Sequence, residues 1–89
     1  MKYRLSAAAR RDLRDVAEFY GDISADTAHR VRDDIEATLA AACEFPRMYP
    51  KRSRDGLRKA VTEKYRYVLI YSVGESVIDV IAVFREQDR

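Results

Sequence analysis

The chain has no tryptophan, one cysteine, one histidine, two prolines and three glycines. Each scarcity closes off a class of protein. A lone Cys43 allows neither an intramolecular disulfide nor a thiolate zinc cluster, and it fits a reducing compartment. A lone His29 leaves imidazole catalysis without a histidine partner. So few glycines and prolines leave no low-complexity segment and no linker. No apolar run approaches the ~20 residues a membrane span needs, and the opening MKYRLSAAARRDLRD lacks the apolar core of a signal peptide. A cytoplasmic location is therefore expected, with no membrane partner, metal or cofactor.

What is present is ordinary for a globular chain: 47% apolar and 36% charged residues over 89 positions. A chain this long makes one domain, residues 1–89, burying roughly 60 to 65% of the surface its unfolded form exposes. The net charge of +2 is unevenly spread. Residues 1–45 carry −2, residues 46–66 carry +6 and residues 67–89 carry −2. The middle segment should attract an acidic partner, either a phosphate backbone or an acidic protein segment.

Tyr3 and Leu5 alternate with Lys2 and Arg4, the pattern of a short strand with one buried face. Ser6 offers an N-cap to a helix whose stripe is Ala9, Leu13, Val16 and Tyr20, with Gly21 as its stop. Ser24 caps a second helix, with Asp26 in its first turn and a stripe of Ala28, Val31, Ile35, Leu39 and Ala42, ended by Pro46. Joined by so short a connection, the two helices form an antiparallel hairpin whose shared apolar side needs a cover.

From Gly56 the period changes to two. Leu57–Glu63, Tyr65–Val73 and Val77–Phe84 read as three strands, the last two joined by the turn Gly74-Glu75-Ser76. Val77–Phe84 is apolar on both faces and is placed at the centre of the sheet. The expected fold is α+β in the order β-α-α-β-β-β: an N-terminal strand, an antiparallel helical hairpin, then a three-stranded antiparallel meander, with the helices on one sheet face. Within the cationic, tyrosine-rich stretch KYRYVLIY, residues 64–71, alternation sends Tyr65, Tyr67, Leu69 and Tyr71 to one face and Arg66, Val68 and Ile70 to the other.

The segments YRLSAAARRDLRDVAEFY, FPRMYP, GLR, YRYVLIYSV and VIDVIAVFR, taken in this order, resemble the ParE/RelE superfamily of bacterial type II toxin-antitoxin toxins over essentially the whole chain. The resemblance implies a small toxin in a hetero-oligomer with a cognate antitoxin, ParD-like or similar, whose acidic, amphipathic tail wraps around it. It implies one of two actions, inhibition of DNA gyrase (ParE branch) or cleavage of mRNA on the ribosome (RelE branch).

RNA cleavage at a 2′-hydroxyl needs a base, cations for the phosphorane and an acid for the leaving oxygen. RelE-like nucleases assign these tasks to histidine, or to clustered Lys, Arg, Glu and Tyr on the sheet and near the C-terminus. Here Arg85 stands where many relatives have histidine, no tyrosine follows it, and arginine cannot act as a base at neutral pH. The expectation is therefore a ParE-like gyrase inhibitor, with plasmid stabilisation as its role and no catalytic residue. The alternatives are a ribosome-dependent mRNA interferase using Lys64, Arg66, Tyr71 and Arg85, and a non-toxic protein-binding module of the same fold. His29 reads as a solvated helix residue and Cys43 as a small core residue. Antitoxin or target is expected to contact Lys51, Arg52, Arg54, Arg58, Lys59, Lys64, Arg66 and Arg85, with a free sheet edge offering backbone groups for capture.

Overall fold

The computed structural model describes residues 1–86. Gln87, Asp88 and Arg89, which complete the stretch read above as lacking a terminal tyrosine, lie outside the described residues. The elements are β1 (Lys2–Leu5), α1 (Ala7–Gly21), α2 (Ala25–Glu44), β2 (Arg58–Val61), β3 (Tyr67–Val73) and β4 (Val77–Arg85), the expected order. Both N-caps form. The Ser6 hydroxyl accepts from the Ala9 amide at 3.0 Å and the Ser24 hydroxyl from the Thr27 amide at 3.2 Å, each satisfying an otherwise orphan helix donor. The helices end at Gly21 and Glu44, just before Asp22 and Phe45.

The sheet order is β1-β4-β3-β2, so β4 is central and its two apolar faces are explained. The pairs β2/β3 and β3/β4 are antiparallel, as the meander requires, whereas β1 runs parallel to β4 with Lys2 opposite Val77. Both helices pack on one face of the sheet. Ala9 and Tyr20 of α1 and Val31, Ile35, Leu39 and Ala42 of α2 form one core with Ala60, Tyr67, Leu69, Tyr71, Ile78, Val80 and Val83.

Four local expectations are corrected. The strand read at Leu57–Glu63 is confined to Arg58–Val61, and the one read from Tyr65 begins only at Tyr67. Asp34, buried on α2, causes the second change: its carboxylate accepts from the Lys64 amide (3.2 and 3.3 Å) and the Tyr65 amide (2.8 Å), drawing both into a loop. Arg66 then takes φ +60°, the left-handed region that lets the chain turn back into β3. Arg66 thus shares no strand face with Val68 and Ile70. Thr62 closes the loop, exchanging its amide and hydroxyl with the backbone of Tyr67 at 2.9 and 3.0 Å.

The third correction concerns β4, which does not alternate throughout. Ile70 pairs with Ala82 and Tyr71 with Val80, leaving Ile81 as an extra residue, a β-bulge. Ile78 and Val80 before it and Val83 after it therefore all face the helices. Helix α1 accommodates the irregularity from both sides. The Ser6 hydroxyl donates to the Ile81 carbonyl at 3.1 Å, and the Val83 amide donates to the Asp12 carboxylate at 2.9 Å. Bulging backbone groups that would otherwise be unpaired are thereby satisfied.

The fourth lies at β1. Tyr3 was expected on a buried face and is 45% exposed. The hairpin and sheet leave that corner uncovered, because β1 is a short edge strand with no further strand beyond it among the described residues. Gly74 is required at the β3–β4 turn: its amide donates to the Val77 carbonyl at 2.9 Å, and a Cβ would lie only 2.9 Å from that same oxygen.

Candidate docking surfaces

Two concave surfaces stand out, on opposite sides of the sheet. The first is a groove of about 330 Å³ between α1, α2 and β1. Its floor is Leu13, Val16, Ala28, Ile35 and Leu39, its wall is Tyr3, and its polar rim is His29, Arg32 and Glu36. The stripe of α1 was expected to be covered by the rest of the chain. Ala9 and Tyr20 are covered, but Leu13 and Val16 stay only partly buried. Beside the groove, the outer edge of Lys2–Leu5 has no strand neighbour among the described residues. Tyr3 belongs to both features, so an amphipathic helix in the groove and a strand added to the edge would meet at one place.

The second surface lies on the face without helices. Opposite pairing puts Lys59, Ile70 and Ala82 in one row, and Val61, Val68 and Phe84 in the next. The loop after α2 folds toward this face: Lys51 bridges to Arg58, the Lys59 amide donates to the Pro50 carbonyl at 3.0 Å, and the Arg52 amide to the Leu57 carbonyl at 2.8 Å. The result is an open cleft of about 620 Å³ lined by Pro50, Lys51, Arg52, Ser53, Lys59, Ile70 and Phe84.

The structure divides the eight cations read from the sequence. Lys51, Arg52 and Lys59 come together in this cleft, with Arg54 exposed at the tip of the loop beside it. Arg52 is turned toward Asp55 at 3.3 Å. The Asp55 carboxyl is held below its ordinary range first by the Leu57 amide and the Ser53 hydroxyl, then by Arg52. Arg58 lies on the helix side, where its guanidinium donates to the carbonyls of Tyr49 (2.7 Å) and Arg47 (3.3 Å). With Tyr71, whose hydroxyl donates to the Pro46 carbonyl at 2.7 Å, Arg58 anchors the turn FPRMYP beneath the sheet's end. Lys64 and Arg66 sit in the loop that Asp34 organises, and Arg66 pairs with Glu86 at 2.8 Å. Arg85 stands opposite Tyr67, on the helix side.

The tyrosines are mostly structural. Tyr20 meets Tyr65 and Tyr67 edge to face, with centroids 6.1 and 6.4 Å apart. Burial first, then hydrogen bonding to Tyr20, pushes the Tyr67 hydroxyl up to about 12. Burial likewise raises Tyr71, which the positive charge of Arg58 partly offsets. Among the described residues no cluster of metal-ligating side chains occurs, and no helix is long and apolar enough to cross a membrane.

Sequence reasoning missed Asp34, Asp12 and the groove. A carboxylate between Val31 and Ile35 in an apolar stripe was the available sign for Asp34. The groove had none, since an apolar stripe reads the same whether a neighbour covers it or not.

The chain is similar in fold to a solved structure described as the chromosomal ParDE toxin-antitoxin system from P. aeruginosa, with a TM-score of 0.81 and 17% identity, covering 98% of this chain and 97% of that one. It is also similar to the intact E. coli RelBE toxin-antitoxin complex, with a TM-score of 0.71, 20% identity and 98% of each chain covered. No curated protein matches by sequence. The family model for the ParE toxin of the type II toxin-antitoxin system parDE matches residues 3–89. This chain belongs to the ParE toxin family.

Proposed function

We propose that this protein binds and inhibits DNA gyrase in the cytoplasm, stabilises a plasmid or similar element, and is neutralised by a ParD-like antitoxin. The observation that carries the antitoxin half is the apolar groove beside an unpaired strand edge. An amphipathic helix would bury Leu13, Val16 and Tyr3, and an extended segment would pair with Lys2–Leu5. The structural neighbours come from toxin-antitoxin complexes, which supports a hetero-oligomer.

Support for a target bound rather than cut comes from the groups a nuclease would use. Tyr71 is 1% exposed with its hydroxyl committed to the Pro46 carbonyl, and Arg66 is engaged by Glu86. The purified protein is expected to inhibit gyrase supercoiling while leaving ribosome-bound mRNA intact. Cleavage of mRNA in the ribosomal A site would overturn the reading in favour of the interferase, and harmless overexpression without an antitoxin would favour the inert binding module.

A further inference from the structure

We infer that the turn after α2 is an anchor, whose paired Phe45 and Met48 side chains enter an apolar pocket on the inhibited protein while Arg47 meets a carboxylate at the pocket's mouth. This rests on the gyrase reading and names the part of the chain that meets that target.

The backbone of the turn is the first argument. The Met48 amide donates to the Phe45 carbonyl at 3.0 Å, closing a β-turn in which Pro46, second in order, fixes its own φ. The carbonyls that follow are held from the sheet. The Tyr71 hydroxyl donates to Pro46 at 2.7 Å, the Arg58 guanidinium to Arg47 at 3.3 Å and to Tyr49 at 2.7 Å, and the Lys59 amide to Pro50 at 3.0 Å. Arg58 and Tyr71 stand opposite each other on β2 and β3, so one rung of the sheet fixes the turn. A segment ordered in this way gives up little conformational freedom when it binds.

The side chains are the second argument. Although its carbonyls are tied to the sheet, the turn leaves Phe45 57% and Met48 54% exposed. A β-turn keeps its first and fourth Cα atoms within about 7 Å, so the ring and the thioether form one apolar pair. Arg47 between them is exposed and has no ion-pair partner among the described residues. Phenylalanine, methionine and arginine are side chains enriched where proteins meet. With most of its carbonyls already bonded, the turn offers a partner side chains rather than a strand edge.

Nucleic acid is a poor match, because stacking uses several rings along one track and Phe45 is the one ring lining this surface. The turn also shares no lining residue with the α1–α2 groove, so the two surfaces are separable by mutation.

The test uses the full chain, labelled with fluorescein at its N-terminus, and intact DNA gyrase on a linear duplex, with the duplex alone as a competing probe. Fluorescence anisotropy is expected to show saturable binding to the gyrase complex, weakened about tenfold or more in Phe45→Ala/Met48→Ala and several-fold in Arg47→Glu. Phe19→Ala removes a ring of similar exposure, 55%, near the opposite end of α2, and should bind as the parent does. Inhibition of supercoiling should follow the same order. Thermal melting by circular dichroism keeps loss of contact separate from loss of fold. The inference alone is overturned if the parent inhibits gyrase and the folded double variant binds and inhibits as strongly, if Phe19→Ala loses as much, or if the duplex alone accounts for the binding that the double variant loses. A parent that leaves supercoiling untouched overturns the gyrase reading, and the inference falls with it.

Discussion

The two faces of the sheet use similar residues for different ends. On the helix face, Tyr67, Leu69 and Tyr71 are all at most 5% exposed, and both Tyr71 and Arg58 satisfy carbonyls of the turn after α2. On the bare face, Ile70 and Val68 are just as buried within the sheet, yet Phe84 and Lys59 beside them stand open to solvent. An aromatic or a cation is thus no mark of a site in itself. Whether it acts on a partner depends on whether the fold has already consumed its bonding capacity.

The most direct way to break this comparison is truncation on each side. Leu69→Ala is expected to lower stability by about 3 kcal/mol, through lost transfer energy and a cavity, while Phe84→Ala costs under about 1 kcal/mol. Urea denaturation of both variants measures the contrast. Equal losses would mean that the bare face is packed as tightly as the covered one.

Next in size is Asp34→Ala, which orphans the Lys64 and Tyr65 amides. A cost of about 2 kcal/mol is expected, read as a drop in Tm on the order of 10 °C. Asp34→Asn should recover part of it, since an amide oxygen still accepts.

Tyr67 sharpens the contrast by pH. Its folded pKa, about 12, lies above a tyrosine's ordinary value of 10.0, because burial favours the neutral phenol. That contribution is fully present below about pH 10 and is lost as pH rises from there toward about 12, because the unfolded chain releases its proton first. Tyr67→Phe is expected to flatten the alkaline limb of Tm against pH. A limb as steep as in the parent would place the cause elsewhere.

The smallest effect is at the bulge. Ser6→Ala removes both the helix cap and the donor to Ile81, for about 1 kcal/mol. Ser6→Thr keeps the hydroxyl and should restore most of that loss in the same melting measurement.

Much of this was legible in the residues. Ser6 and Ser24 marked both helix starts, the doubly apolar Val77–Phe84 marked the central strand, and the charge count marked the segment that forms the basic cleft. Less legible was anything that depends on a distant partner. Tyr65 carries a strand's alternation, yet its amide is claimed by Asp34, thirty-one residues earlier in the chain. Arg58 and Lys59 are adjacent cations in sequence, and one anchors a turn while the other faces solvent on the opposite side.

The sequence by itself determined the element order, the caps and the uneven charge, because hydrophobic period, capping and composition are local properties written within a few residues. The tertiary structure alone decided the parallel pairing of β1, the bulge at Ile81, the open groove over Leu13 and Val16, and the division of the cations. Each of these depends on which groups far apart in the chain meet, and on which bonds that meeting leaves unused.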